Sequence, residues 1–175
     1  FMDADALVCS ENFIEKYLPF CNEKCIVIGG TAYDPNIDNP NFSLRLKYGR
    51  KREARNAAER SMLEHELQID KKQSYNFSAF NFLISKEILL SIPFDEKIRG
   101  YGHEDMLLGY ELHQKGFRLT HIDNPLIHNG LDSNKVFLSK TEEACKNLLK
   151  LHNSGAFPFL ANESKLLKHF LKLKT

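Results

Sequence analysis

The chain has no tryptophan, and its four cysteines, Cys9, Cys21, Cys25 and Cys145, form no C-x-x-C pair. Cys21 and Cys25 stand four apart, a spacing that does not read as zinc without histidine partners. Free thiols of this kind fit a reducing compartment, so the expected location is the cytoplasm. No apolar run approaches the ~20 residues that a membrane-spanning helix needs. No secretory leader is legible, although a chain opening on Phe1 would hide one. An excess of one charge is also missing: 24 Lys and Arg balance 23 Asp and Glu, for a formal net charge of +1. That excludes a global field drawing in nucleic acid, but not a local charged patch. Internal repeats and low-complexity tracts are absent. What remains, at 175 residues, is enough chain to bury the core of one domain.

The hydrophobic pattern predicts short strands alternating with helices, an α/β chain. Asp3-Ala4-Asp5 follows an apolar start and reads as a strand end. Ser10 would cap a helix to about Tyr17, ended by Pro19. Residues 24–28 read as a buried strand stopped by Gly29-Gly30, and residues 31–43 as a loop rich in Asp, Asn and Pro. Residues 44–67 read as one helix, basic at its front and acidic behind. Residues 77–84 read as a strand containing Asn81, followed by a short helix from Ser85. A glycine-bearing loop then leads into a helix over residues 104–115, stopped by Gly116. Strands over 117–122 and 126–128 flank the turn Asp123-Asn124-Pro125. Ser139 and Glu142 form the pattern of a capping box for a helix over 139–152. A basic amphipathic helix over about 162–174 comes last.

Five features of this pattern carry chemistry. Residues i and i+2 of a strand share a face, and at the carboxyl end of a sheet strand that face looks into a ligand crevice. Asp3 and Asp5 would there suit a hard cation, Mg²⁺ or Mn²⁺, that also holds a diphosphate; solvated loop acids are the plainer alternative. The segment Arg99-Gly100-Tyr101-Gly102-His103-Glu104-Asp105 delivers two acids to a helix start, where the helix dipole stabilises negative charge. One of them could serve as a general base towards a hydroxyl, or both could be ordinary first-turn acids. His128, just before Asn129-Gly130, reads as a metal ligand, a phosphate contact or a structural histidine. The basic residues between 45 and 55 could receive a diphosphate or anionic acceptor, or form a solvated face. The C-terminal helix could lie on an anionic membrane surface or pack on the domain.

Taken in order, these segments resemble a known family. The series is D-x-D, Asn81-Phe82-Leu83-Ile84-Ser85-Lys86-Glu87, Phe94-Asp95-Glu96, Gly102-His103-Glu104-Asp105, Gly116-Phe117-Arg118-Leu119 and Pro125-Leu126-Ile127-His128-Asn129-Gly130. It looks like the catalytic half of a family 2 glycosyltransferase with the GT-A fold, particularly the bacterial galactosyltransferase-like and chondroitin-polymerase-like branch. The resemblance covers residues 1 to about 149. It implies a nucleotide-diphospho-sugar transferase fold, a mixed sheet flanked by helices, here without the N-terminal nucleotide-binding strands. The chain would then open in mid-strand, with an acceptor and catalytic half over 1–152 and a C-terminal amphipathic helix over 153–175. Such a piece is expected to be inactive unless joined to the rest.

The resemblance also implies an activity: metal-dependent transfer of a sugar, usually with inversion, from a nucleotide-sugar to an acceptor hydroxyl. The donor would be a UDP-sugar and the acceptor a glycan or lipid-linked saccharide, in bacterial surface polysaccharide synthesis at the inner face of the membrane, with no nucleic acid partner. By motif, Asp3 and Asp5 would hold Mn²⁺ or Mg²⁺, with His128 completing the shell and His121 a weaker rival. Asp105 would be the base, and Glu104 would hold the acceptor or share that role. Phe80 and Asn81 would line the sugar pocket. Many relatives carry a sugar-packing Trp where Tyr101 or Gly102 stands, so Tyr101, Gly102 and His103 are expected beside donor or acceptor. The runner-up is a non-catalytic glycan- or partner-binding module of the same fold. A metal phosphohydrolase, the third class, would call for more ligands close in sequence.

Overall fold

The computed structural model describes residues 1–21, 25–61, 77–96 and 98–173. Its strands are β1 (Ala6–Val8), β2 (Ile26–Ile28), β3 (Thr31–Ala32), β4 (Phe82–Ile84), β5 (Leu119–His121) and β6 (Leu126–His128). Its helices are α1 (Ser43–Arg52), α2 (Lys86–Ser91), α3 (Glu104–Gln114), α4 (Asn134–Asn153), α5 (Leu160–Glu163) and α6 (Lys165–Leu173), and residues 57–61 are helical as well. The strands form two small mixed sheets, β1-β6-β3 and β4-β2-β5, flanked by helices. In the first, β6 lies between antiparallel β1 and parallel β3, with Ala6 opposite His128 and Thr31 opposite Leu126. In the second, β2 lies between antiparallel β4 and parallel β5, with Ile26 opposite both Ile84 and Leu119.

A strand with neighbours on both edges and cover on both faces reads as a continuous apolar run. β2 is such a strand, and Ile26, Val27 and Ile28 are at most 1% exposed. Ile26 and Ile28 pack with Phe77, Phe82, Ile84, Ile88 and Leu112. Val27 packs with Phe13, Tyr17, Phe80 and Leu126. A third cluster of Leu107, Leu148, Leu160 and Leu167 seats the C-terminal helices against α3 and α4.

Gly29-Gly30 ends β2, as expected from sequence, and also bends the chain from one sheet into the other. Gly30 has φ +95°, and a Cβ on Gly29 would lie 2.2 Å from the Tyr17 hydroxyl and 2.7 Å from the Asn124 carbonyl oxygen. Only glycine fits such a re-aiming point, and the strand resumes as β3 within the stretch read as loop. The Asn81 side chain stitches this junction: it donates to the carbonyls of Gly30 (3.0 Å) and Asn124 (2.8 Å) and accepts from the Tyr17 hydroxyl (2.7 Å). Asn124 donates in turn to the Phe13 carbonyl at 2.9 Å.

The structure redraws several predicted elements. Ser10 caps no α-helix; a 3₁₀ helix spans Glu15–Phe20 and contains Pro19. The helix expected over 44–67 breaks after α1, and residues 62–67 lie outside the described residues. At the break the Glu53 carboxylate accepts both Arg45 nitrogens (3.1 and 2.9 Å) and the Tyr33 hydroxyl. The next turn starts on a reciprocal cap: Asn56 Oδ1 accepts from the Glu59 N–H (2.8 Å) and Glu59 Oε2 from the Asn56 N–H (2.9 Å). Of the strand expected over 77–84, β4 is the paired part, with a single bridge between Met2 and Asn81 before it. Helix α4 starts at Ser133, whose side chain accepts from the Val136 N–H, so Ser139 and Glu142 lie inside it rather than at its cap. The last helix divides at Ser164 into α5 and α6. Among the described residues no helix is long and apolar enough to cross a membrane.

Candidate functional site

Asp3 and Asp5 lie in a turn, not in a strand. The Ala6 N–H donates to the Asp3 carbonyl (3.1 Å), closing the turn between the Met2 bridge and β1, while the Asp3 N–H donates to the Phe80 carbonyl (3.1 Å). The shared-face argument from strand alternation therefore fails. The turn still directs Asp3 into the cleft described below, and it brings Asp5 Oδ2 within 4.0 Å of His128 Nδ1. Asp5 rests on Gly130, where a Cβ would sit 1.8 Å from Asp5 Oδ2.

His128 ends β6, where its ring is sandwiched between Phe80 (centroids 5.0 Å apart, 6° between planes) and Tyr33 (5.6 Å, 14°). Its Nδ1 is buried with no hydrogen-bond partner. Burial holds its pKa below the usual value and the Arg45 charge adds to this, against the opposing pull of Asp5. A neutral imidazole with a bare ring nitrogen is the form that binds a metal or accepts a proton. The rival His121 is on β5, and its Nδ1 faces Arg60 Nε at 3.3 Å.

Asp105 opens α3. The loop before it needs left-handed backbone at Gly100 (φ 91°), Gly102 (φ 94°) and His103 (φ 82°), unusual for the last of these. Helix α4 clamps that loop: Tyr101 N–H donates to Glu143 Oε1 (3.0 Å), Asn147 Nδ2 donates to the Tyr101 carbonyl (3.0 Å), and His103 Nε2 meets the Ala144 carbonyl (2.9 Å). So clamped, α3 points Asp105 inward, and its Oδ2 accepts from the Ala79 N–H at 2.9 Å. Burial pushes the Asp105 carboxyl up to about 6; the Ala79 N–H opposes the shift, and the Glu104 and Asp3 charges add to it.

These segments, remote along the chain, meet in one cleft of about 430 Å³. Asp3, Glu104, Asp105 and His128 line it together with the aromatic faces of Phe80, Tyr101 and Phe94. Arg45, Arg52, Arg55 and Arg60 line it too, so the basic front of the predicted helix contributes to the cleft instead of standing wholly in solvent. Arg45 is turned inward onto Glu53, with only 8% of its surface exposed. Three expected contacts are placed elsewhere. Asn81, 1% exposed, is spent on the sheet junction, where its amide satisfies the Asn124 carbonyl and shares the Gly30 carbonyl with the Leu126 N–H. Gly102 packs on Ala144 and His103 bonds to helix α4, so both shape the loop without lining the cleft. Sequence reading did not single out Tyr33, Glu53 or Arg60; the N-x-x-E box at Asn56 was the one local signal that a new helical turn would bring Arg60 round.

Among the described residues no three His, Cys, Asp or Glu side chains stand together as a ready metal cage. Comparison with protein-family models, curated proteins and solved structures finds no match to this chain.

The contact of Asp5 with Gly130 is testable apart from any activity. Gly130→Ala is expected to push the Asp5 carboxylate off His128 into solvent, since 45% of that side chain is already exposed. The stability cost should be about 1 kcal/mol or less. Because Asp5 raises the His128 pKa, its departure should lower that pKa further, read as a titration midpoint moved to lower pH by NMR of the ring protons. An unchanged midpoint would mean that the two groups do not interact.

Proposed function

We propose that this chain carries the catalytic residues of a metal-dependent, inverting glycosyltransferase of the GT-A type, moving a sugar from a nucleotide-sugar to an acceptor hydroxyl. The observation carrying this reading is the meeting of Asp3, Glu104, Asp105 and His128 with aromatic side chains in one cleft. Asp105 has the properties of a general base: it is buried, held by the Ala79 N–H, and titrates near neutrality. It takes the proton of the acceptor hydroxyl as that oxygen bonds the anomeric carbon and the bond to the donor diphosphate breaks. Glu104, beside it on the first turn of α3, holds the acceptor. Phe80 and Tyr101 offer flat apolar faces to sugar rings. The donor proposed is a UDP-sugar, and the acceptor a glycan or lipid-linked saccharide.

Asp5 and His128 fit one side of a divalent cation, because His128 Nδ1 is buried without a partner and faces Asp5 Oδ2. Asp3 interacts with both: burial raises its pKa, the Asp5 charge adds to the shift and His128 opposes it. Mg²⁺ or Mn²⁺ is commonly held by one or two carboxylates with substrate phosphates supplying the rest, so a full protein cage is not required. When bound, such an ion supplies Lewis-acid charge for the leaving diphosphate.

Paramagnetic Mn²⁺ with UDP is expected to broaden the His128 ring signals of this chain. Asp5→Ala should abolish the broadening while leaving the thermal melt within about 1 kcal/mol of the parent. Broadening without sugar transfer to any glycan acceptor, even when the chain is joined to the nucleotide-binding strands that the resemblance calls for, would favour the non-catalytic module. No broadening at His128 would remove the metal role of Asp3, Asp5 and His128.

A further inference from the structure

Helix α6 carries two different faces. Lys165, Lys168, His169 and Lys172 occupy one arc, and the helix contains no acidic residue. Its apolar arc is only partly used by the domain. Leu167 is 3% exposed and Leu171 packs against the cluster of Leu107, Leu148 and Leu160. Leu166, Phe170 and Leu173 remain 56%, 37% and 75% exposed. At about 100° per residue these three fall on a single stripe, between the buried leucines and the lysine arc. Beside the stripe runs a groove of about 290 Å³, walled by Cys145, Leu148 and Leu149 of α4 and by Leu166 and Phe170 of α6, with Glu142 at its rim neutralised by an ion pair to Lys146 at 2.6 Å.

A large apolar stripe edged by lysines is the pattern of a helix lying in the plane of a lipid interface. There the apolar side chains enter the acyl boundary, and the lysine stems carry their charge up to the headgroups. The charge on α6 selects the surface. The whole chain is almost neutral at +1, so the cations of α6 are a local excess, and their complement is an anionic plane. We propose that α6 and the groove beside it dock this protein on an anionic lipid bilayer, with Leu166, Phe170 and Leu173 inserted and Lys165, the lysine nearest the stripe, against the headgroups. This surface is distinct from the cleft, and the inference does not rest on the transferase reading.

Flotation with vesicles of phosphatidylcholine alone, and of phosphatidylcholine with phosphatidylglycerol, tests it. The chain is expected to float with the anionic vesicles and not with the neutral ones, and to lose binding at high salt. The double variant Leu166→Glu/Leu173→Glu should weaken flotation by about tenfold or more. Both side chains are exposed, so its circular-dichroism melt should match the parent. As the chain has no tryptophan, Leu173→Trp provides a clean reporter whose emission should shift to the blue on anionic vesicles alone. Equal binding to both vesicle types, or unchanged flotation of the double variant, would overturn the proposal. So would self-association in solution that the double variant abolishes, since that would assign the stripe to a second copy of the chain.

Discussion

In a chain joined to the nucleotide-binding strands that the resemblance calls for, Asp105→Asn should lower sugar transfer by a factor of about 10² to 10⁴, the range that a positioned general base supplies. At pH 8 it should also leave the fold as stable as before, or more so. The second expectation follows from proton linkage. The folded Asp105 carboxyl titrates at about 6, against about 3.9 for an unfolded aspartate. Between these values the unfolded chain has released its proton while the folded one still holds it. Stability therefore falls as pH rises through that window, and above it the folded state carries the full cost of a buried charge. Two pH units correspond to about 3 kcal/mol, on the order of 2 kcal/mol once the partial exposure of the group is allowed for. Asparagine keeps an oxygen for the Ala79 N–H and carries no charge, so the variant should lack this pH slope. Urea melts of both proteins at pH 4.5 and pH 8, beside the transfer assay, make the comparison. A variant less stable than the parent at both pH values would make Asp105 a structural acceptor and remove it from the reaction.

Asn81→Ala is expected to cost about 3–5 kcal/mol, the largest stability loss foreseen for any single side chain in this protein. The side chain is 1% exposed and makes three hydrogen bonds, so its removal strands the Asn124 carbonyl and the Tyr17 hydroxyl in the interior and leaves the Gly30 carbonyl with only the Leu126 N–H. Tyr17 reports on the same environment: burial pushes its hydroxyl up to about 12. Asn81→Asp should be nearly as damaging, because it sets a carboxylate oxygen against two carbonyl oxygens. Chemical denaturation of either variant gives the answer. If both melt like the parent and only ligand binding weakens, Asn81 is a cleft residue after all and the sheet junction does not depend on it.

The two predictions separate what could be read locally from what could not. Glu104 and Asp105 at a helix start and Gly116 just past its end are local features, and α3 was expected within a residue of its observed span. The apolar run of β2 and the strand ending at His128 were equally plain. The elements misread were those in which a side chain reaches a distant part of the chain. Glu53 interrupts a strong helix-forming sequence because Arg45 and Tyr33 converge on it. Gly30 does end β2, but nothing local indicates that a further strand, β3, waits beyond the bend to pair with β6. Asn81 was expected in a sugar pocket only through the family resemblance, whereas here it satisfies backbone groups of two other segments.

By itself, the sequence determined the α/β alternation, the chemistry-bearing residue types and their order, and the amphipathic pattern at the C-terminus. Those depend on spacing and propensity, which act over a few residues. Only the tertiary structure decided that Asp3 and Asp105 share a cleft, that His128 Nδ1 is left bare against Asp5, that Asn81 is spent on the core, and that half of the apolar face of α6 stays exposed. Burial and hydrogen-bond partners set those properties, and both come from segments far apart in the chain that meet only when it folds.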